Sequence, residues 1–183
     1  MIQFAALLRG INVGGKNIIK MAELRGCFET LGFENVRTYI QSGNVLFSAD
    51  GTDQAKLISQ LEDALSATFN YASRVVVRSE GELKAIVAHA PEGFGSEPAN
   101  YRYDVIFLIE PLTAAEAMQS VSTKEGVDQA FAGNGVLYFS RLISRAGQSH
   151  LSRIVGMPVY QDMTIRNWNT TTKLLNMMEA VER

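Results

Sequence analysis

Apolar residues fall on both faces of the segment Ile2–Ile11, at Ile2, Phe4, Ala6 and Leu8 and again at Ala5 and Leu7. That pattern predicts a central strand covered on both sides. Met21, Leu24, Phe28 and Leu31 recur at helical spacing and predict a helix over Met21–Leu31. Gly32 stops it in the left-handed position, with Phe33 folding back. Val36–Ile40 and Val45–Phe47 predict two short strands joined by a hairpin at Ser42-Gly43-Asn44. Thr52 or Asp53 caps a second helix, whose inner face carries Leu57, Ile58, Leu61, Leu65 and Phe69. Arg74–Arg78 encloses Val75-Val-Val77, a fourth strand. Ser79 with Glu82 is a capping box opening a short helix that Pro91 closes.

The stretch Pro91–Pro98 is rich in Pro and Gly and reads as a linker. Beyond it the order recurs. Tyr103–Ile109 is a strand, and Thr113 with Glu116 is a second capping box before a helix through Ala117 and Met118. Val127–Phe131 and Val136–Phe139 flank Gly133-Asn-Gly135, a strong hairpin signal. A helix follows from Ser149, with Leu151, Ile154 and Val155 inward and Gly156 at its end. Met163–Ile165 is a short strand, and a last helix carries Leu174, Leu175, Met178 and Val181. Strand, helix, strand, strand, helix, strand is the split βαβ order. The chain is therefore expected to be an α+β protein of two tandem ferredoxin-like (α/β-plait) modules with added helices, over residues 1–92 and 99–183. No repeat is visible at the level of residues, so this expectation rests on element order alone.

Composition narrows the function. Of 183 residues, 46% are hydrophobic and 20% charged, which suits a packed globular protein. The formal net charge of −2 argues against a dedicated nucleic-acid binder, whose affinity comes largely from neutralised phosphates. Any basic patch must be local. The single cysteine, Cys27, excludes an internal disulfide and reads as a small buried hydrophobe. His89 and His150 stand alone, so no metal site is expected. No apolar run has membrane-spanning length, and the expected location is the cytoplasm.

Candidate chemistry is concentrated in three polar segments, each at the end of an apolar run: Arg9–Asn17, Tyr39–Asn44 and Thr164–Lys173. From them come the candidate ligand-binding residues Arg9, Asn12, Gly14, Gly15, Lys16, Asn17, Tyr39, Gln41, Asn44, Arg166, Asn167, Trp168 and Lys173. Gly10–Asn17 nearly fits the phosphate-loop pattern, but Asn17 stands where a magnesium-binding hydroxyl is needed. Ile18-Ile-Lys20 does not open a helix directly, and the element order is not that of an alternating parallel sheet. A weaker version survives: consecutive glycines let backbone N–H groups form an anion-binding nest, with Lys16 and Arg9 adding charge. The plain alternative is a tight turn with a solvated Lys16. Tyr39–Asn44 is either a hairpin turn or a wall for that loop, with Gln41 and Asn44 facing it. Arg166–Thr170 opens the last helix with Asn167 or Asn169 as N-cap, where free N–H groups favour anions. Trp168 is equally suited to anchor the two modules. Tyr101, Arg102 and Tyr103 alternate aromatic and basic groups beside the linker, but the aromatic signature of an RNA-recognition sheet is missing.

The segments Leu8–Asn17, Thr38–Asn44 and Met163–Thr170 resemble the signatures of a bacterial family of uncharacterised proteins, domain of unknown function 1697. The likeness runs from the first strand to the last helix. It implies two α/β-plait modules and no particular activity or cofactor. No catalytic constellation stands out. The reading is a binding module for a small anionic, phosphorylated ligand held in a polar cleft where the three segments meet. An enzyme acting on a phosphorylated metabolite or nucleotide through the same residues, and a structural, protein-interaction or RNA-binding module, are the alternatives.

Overall fold

A computed structural model describes residues 1–51 and 53–180. Thr52, one of two caps expected for the second helix, and Val181, expected inside the last, lie outside the described residues. The structure is α+β, with two four-stranded antiparallel sheets. Its two compact units are Met1–Lys84 with Leu174–Arg183, and Ala85–Lys173.

In the first unit β1 (Ile2–Leu8), α1 (Met21–Thr30), β2 (Glu34–Tyr39), β3 (Asn44–Ala49), α2 (Gln54–Phe69) and β4 (Val75–Ser79) follow in order. The strands lie in the order β2-β3-β1-β4. Phe4, Ala6 and Leu8 point from β1 into a core with Leu24 and Phe28 of α1 and Leu57, Leu61 and Leu65 of α2. Phe33 and Phe47 pack ring to ring at 4.7 Å. Burying each such side chain contributes about 1.5–3 kcal/mol, so this face holds the unit together. Asp53 caps α2, its carboxylate accepting the Lys56 N–H at 3.1 Å. Gly32 ends α1 in the left-handed region at φ +84°, with the Phe33 N–H returning to the Phe28 carbonyl.

The opposite face of this sheet is also apolar: Ala5, Leu7, Leu46 and Val76 are buried. The C-terminal half of α5 (Trp168–Glu179), part of this same unit, lies there. Gln3 donates from Nε2 to the Met178 carbonyl at 3.2 Å, and Arg37 from Nη1 to the Met177 carbonyl at 3.0 Å.

The second unit contains β5 (Tyr101–Leu108), α4 (Ala114–Ser120), β6 (Asp128–Ala132), β7 (Val136–Leu142) and β8 (Met163–Asn167), ordered β6-β7-β5-β8. Ile106, Leu108, Leu137, Phe139 and Met163 form its core with Ala117, Leu151 and Ile154. On the other face the Tyr138 hydroxyl donates to the Ile86 carbonyl at 2.6 Å. Ile86 belongs to the C-terminal half of α3 (Glu80–Ala88), which this unit includes.

Two expectations need correction. The α-helix expected from Ser149 to Gly156 is absent. Three short 3-10 turns, Ile143–Gln148, Leu151–Gly156 and Pro158–Asp162, bridge β7 to β8 instead. Gly147, Gly156 and Pro158 interrupt any longer helix. At three residues per turn Leu151 and Ile154 share a face and are buried, while Val155, expected inward, turns out to solvent. The segment Pro91–Pro98 is not a free linker either: Phe94 packs edge to face on Tyr103, Tyr138 and Trp168 at 4.9, 5.4 and 5.2 Å. An aromatic ring inside a Pro/Gly-rich stretch gives that stretch a hydrophobic anchor.

Candidate functional site

At the end of β1 the chain enters the loop of residues 9–20 before α1. Its own asparagines fix its shape. The Asn12 amide donates to the Ile19 carbonyl at 3.1 Å and to the Gln41 carbonyl at 2.8 Å, while its oxygen accepts the Ile19 N–H at 2.8 Å. Asn17 Nδ2 donates to the Gly10 carbonyl at 2.9 Å. Backbone bonds from Asn12 N to Asn17 O and from Lys16 N to Val13 O close the tip. Gly14 and Gly15 take φ of +59° and +73°, and Asn12 and Asn17 sit at +52° and +49°. Asparagine tolerates that region because its short amide bonds locally. Ile11 and Ile19 root both ends of the loop in the core.

Against this loop stands the hairpin between β2 and β3. The Leu8 N–H donates to the Gly43 carbonyl at 2.8 Å. Gly43 has no room for a side chain, since an added Cβ would lie 2.7 Å from Ile11 Cδ1. Ile40 holds φ +47° and is 48% exposed. A β-branched residue in that region is strained, so the surrounding structure must impose it. Val13 and Ile18 are 65% and 75% exposed. The first two polar segments therefore meet.

The roles inside them differ from expectation in places. Gln41 meets the loop through its backbone carbonyl. Asn44 is fully buried and turns back into its own hairpin, donating to the Tyr39 carbonyl at 2.9 Å and to Ser42 Oγ at 3.0 Å. Tyr39 ends β2 opposite Asn44 and is half-buried. Lys16 is exposed and Arg9 half-buried.

The third segment belongs to the second unit. Asn167, not Asn169, caps α5: its Oδ1 accepts the Thr170 N–H at 2.7 Å. Arg166 is buried, with Nη1 donating to Thr164 Oγ1 and the Ile165 carbonyl at 2.9 Å each. Burial lowers its pKa to about 10. Both of these bonds stay within its own strand. Lys173 is exposed on α5. Trp168 lines a groove of about 290 Å³ together with Gly95, Tyr101, Arg102, Tyr103 and Asn167. Phe94 and Gly95, whose backbone seats the indole, carried no sequence signal beyond an aromatic within a Pro/Gly-rich run. Ile40 carried none, because its strain is conformational.

A larger recess of about 540 Å³ opens where β1 begins, away from the loop. Among its polar side chains Gln3 bonds to Glu80 and Asn35 to Ser48, while Gln54 and Ser79 bond to Glu82. Among the described residues no group of three or more His, Cys, Asp or Glu side chains is placed to hold a metal ion. Nor is any helix long and apolar enough to cross a membrane.

With this geometry in place, comparison with known proteins adds a family and a structural relative. The model of a family described as "Protein of unknown function (DUF1697)" matches residues 1–138. A solved structure titled "The structure of conserved bacterial protein SP0830 from Streptococcus pneumoniae" is similar, with a TM-score of 0.85 and 28% sequence identity. The similarity covers 96% of this chain and 98% of that one. No curated protein matches.

Proposed function

The chain belongs to the DUF1697 family, whose function is unknown, and we propose that it binds a small phosphorylated ligand at the loop Gly10–Asn17 of the first unit. The observation that carries this is the loop's rigidity without burial. Asn12 and Asn17 fix the backbone with side-chain hydrogen bonds, yet Val13, Lys16 and Ile18 remain exposed. A fold gains nothing from ordering a solvated tip in this way, whereas a binding loop gains preorganisation. Consecutive glycines leave N–H groups approachable by an anion, and Lys16 with Arg9 supplies positive charge. The strand orders β2-β3-β1-β4 and β6-β7-β5-β8 support a further reading of both units as ferredoxin-like modules.

Calorimetric titration with inorganic pyrophosphate at low salt tests the site. Saturable binding is expected, weakened at least about tenfold by Lys16→Ala through loss of a charge-assisted hydrogen bond, with unchanged circular dichroism. Absence of saturable heat, or equal affinity in the variant, rejects the loop as an anion site. Turnover of a phosphorylated substrate that Lys16→Ala abolishes would extend the reading to catalysis.

A further inference from the structure

We propose a second site, independent of the loop: the groove of the second unit takes the base of a nucleoside or nucleotide, with Tyr101 and Trp168 against the ring. The groove holds about 290 Å³, at the lower end of small-molecule sites, which is room for one base and not for a stack of them. Its walls are aromatic and half-exposed. Tyr101 and Tyr103 lie 6.1 Å apart with planes inclined by 40°.

The rings are held in place. Tyr103 accepts the Glu97 N–H at its hydroxyl, at 3.2 Å, and packs edge to face on Phe94. Trp168 meets Phe94 at 89° and rests on Gly95, where an added Cβ would come within 2.3 Å of its Nε1. Rigid aromatic faces that are left open to solvent are stacking platforms for bases, because every base presents a π-face.

The rim supplies the polar complement. Asn169 is exposed along it, and Asn167, which caps α5, closes one end. Amide side chains match base edges. An apolar ligand would leave this rim unused.

The register shows that packing does not demand these rings. Phe4 pairs with Phe47 and Ser79, and Asp104 with Phe139 and Asn167, so the two sheets correspond strand for strand. On that correspondence Tyr103 stands where the first sheet has Gln3, and Trp168 where it has Glu80. The first sheet forms without either aromatic.

Trp168 is the only tryptophan and lines the groove, so its fluorescence reports occupancy directly. The intact protein would be titrated with adenosine monophosphate, adenosine, ribose 5-phosphate and a single-stranded RNA hexamer, with equilibrium dialysis of labelled adenosine monophosphate as a second readout. Saturable binding of the monophosphate and of adenosine is expected, with ribose 5-phosphate far weaker. Tyr101→Ala should weaken it roughly tenfold through lost stacking, and Tyr101→Phe should restore it. Arg102→Ala, whose side chain lies on the opposite face of β5 with Asp104, should leave both affinities unchanged. A hexamer binding much more tightly than the mononucleotide identifies a strand as the source of the base, and equal or weaker binding identifies the free nucleotide. No binding of any base-containing probe by either readout, or binding indifferent to Tyr101→Ala, overturns the proposal. Since ribose 5-phosphate and pyrophosphate carry no base, failure here leaves the loop site standing, and failure of the loop leaves this site standing.

Discussion

The first strands of the two sheets end alike and then part. Leu8 donates its N–H to the Gly43 carbonyl at 2.8 Å, and Leu108, at the matching position, donates to the Gly135 carbonyl at 3.0 Å. From there β5 reaches α4 through residues 109–113 alone, where Ile109 bonds to the Asp162 carbonyl and Thr113 caps the helix. β1 reaches α1 through residues 9–20, the loop of Asn12, Lys16 and Asn17. The same strand order thus closes with a short turn. What the first unit adds between strand and helix is surplus to topology, which is why its ordered polar tip points to a ligand.

The largest effect that would sharpen this contrast is expected where the loop leans on the hairpin. Gly43→Ala places a methyl 2.7 Å from Ile11 Cδ1 and 2.9 Å from Leu8 Cβ, at φ +84°. Left-handed strain and overpacking together should cost at least about 3 kcal/mol in urea denaturation. Gly14→Ala, at the loop tip with nothing within 4 Å, should cost only the backbone part, about 1–2 kcal/mol. Equal losses would mean that the tip is as tightly built as its root, and the distinction between scaffold and surplus would fail.

Asn12→Ala comes next. It removes two donated bonds and one accepted bond that tie the loop to Ile19 and Gln41. Hydrogen bonds to half-buried backbone groups predict a loss of about 1–3 kcal/mol, together with faster proteolysis inside residues 10–18. If stability falls but the loop resists protease as before, Asn12 is not what orders it.

Strands, hairpins and capping boxes were legible in the sequence because each rests on local chemistry. Ser79 with Glu82 and Thr113 with Glu116 form the reciprocal bonds that their spacing implies. Leu151 and Ile154 were legible as buried, but not their 3-10 turn, since spacing by three fits both helices and Gly147, Gly156 and Pro158 decide between them. The loop's polar residues were found, whereas the direction of each side chain was not. Asn44 and Arg166 stood out as polar residues beside a glycine or a helix start, but spacing did not show that Asn44 Nδ2 turns to Tyr39 and Ser42, or Arg166 Nη1 to Thr164 and Ile165. The aromatic groove escaped because Phe94, Tyr103 and Trp168 meet across a stretch that composition marks as a linker.

The smallest effect lies where the two cores differ in chemistry at matched register. Phe4 is buried in the first, stacked on Phe47 at 5.6 Å, and Asp104 takes its place opposite Phe139 in the second. Burial raises the Asp104 pKa above its ordinary value, and Arg141 and Arg102 pull it part of the way back. A carboxyl whose pKa is raised by folding is a net cost while ionised. The folded state binds the extra proton between the unfolded and folded pKa values, so the cost is present above the folded pKa and disappears as pH falls through that interval. Asp104→Asn should therefore stabilise the protein at neutral pH, with a gain that shrinks to nothing as the wild-type carboxyl protonates. Urea denaturation of both proteins at pH 7 and pH 4 measures this. A variant less stable than wild type at pH 7 would show that the pull of Arg141 and Arg102 outweighs burial, making Asp104 a partner to those cations instead of a polar intrusion where the first unit keeps a phenylalanine.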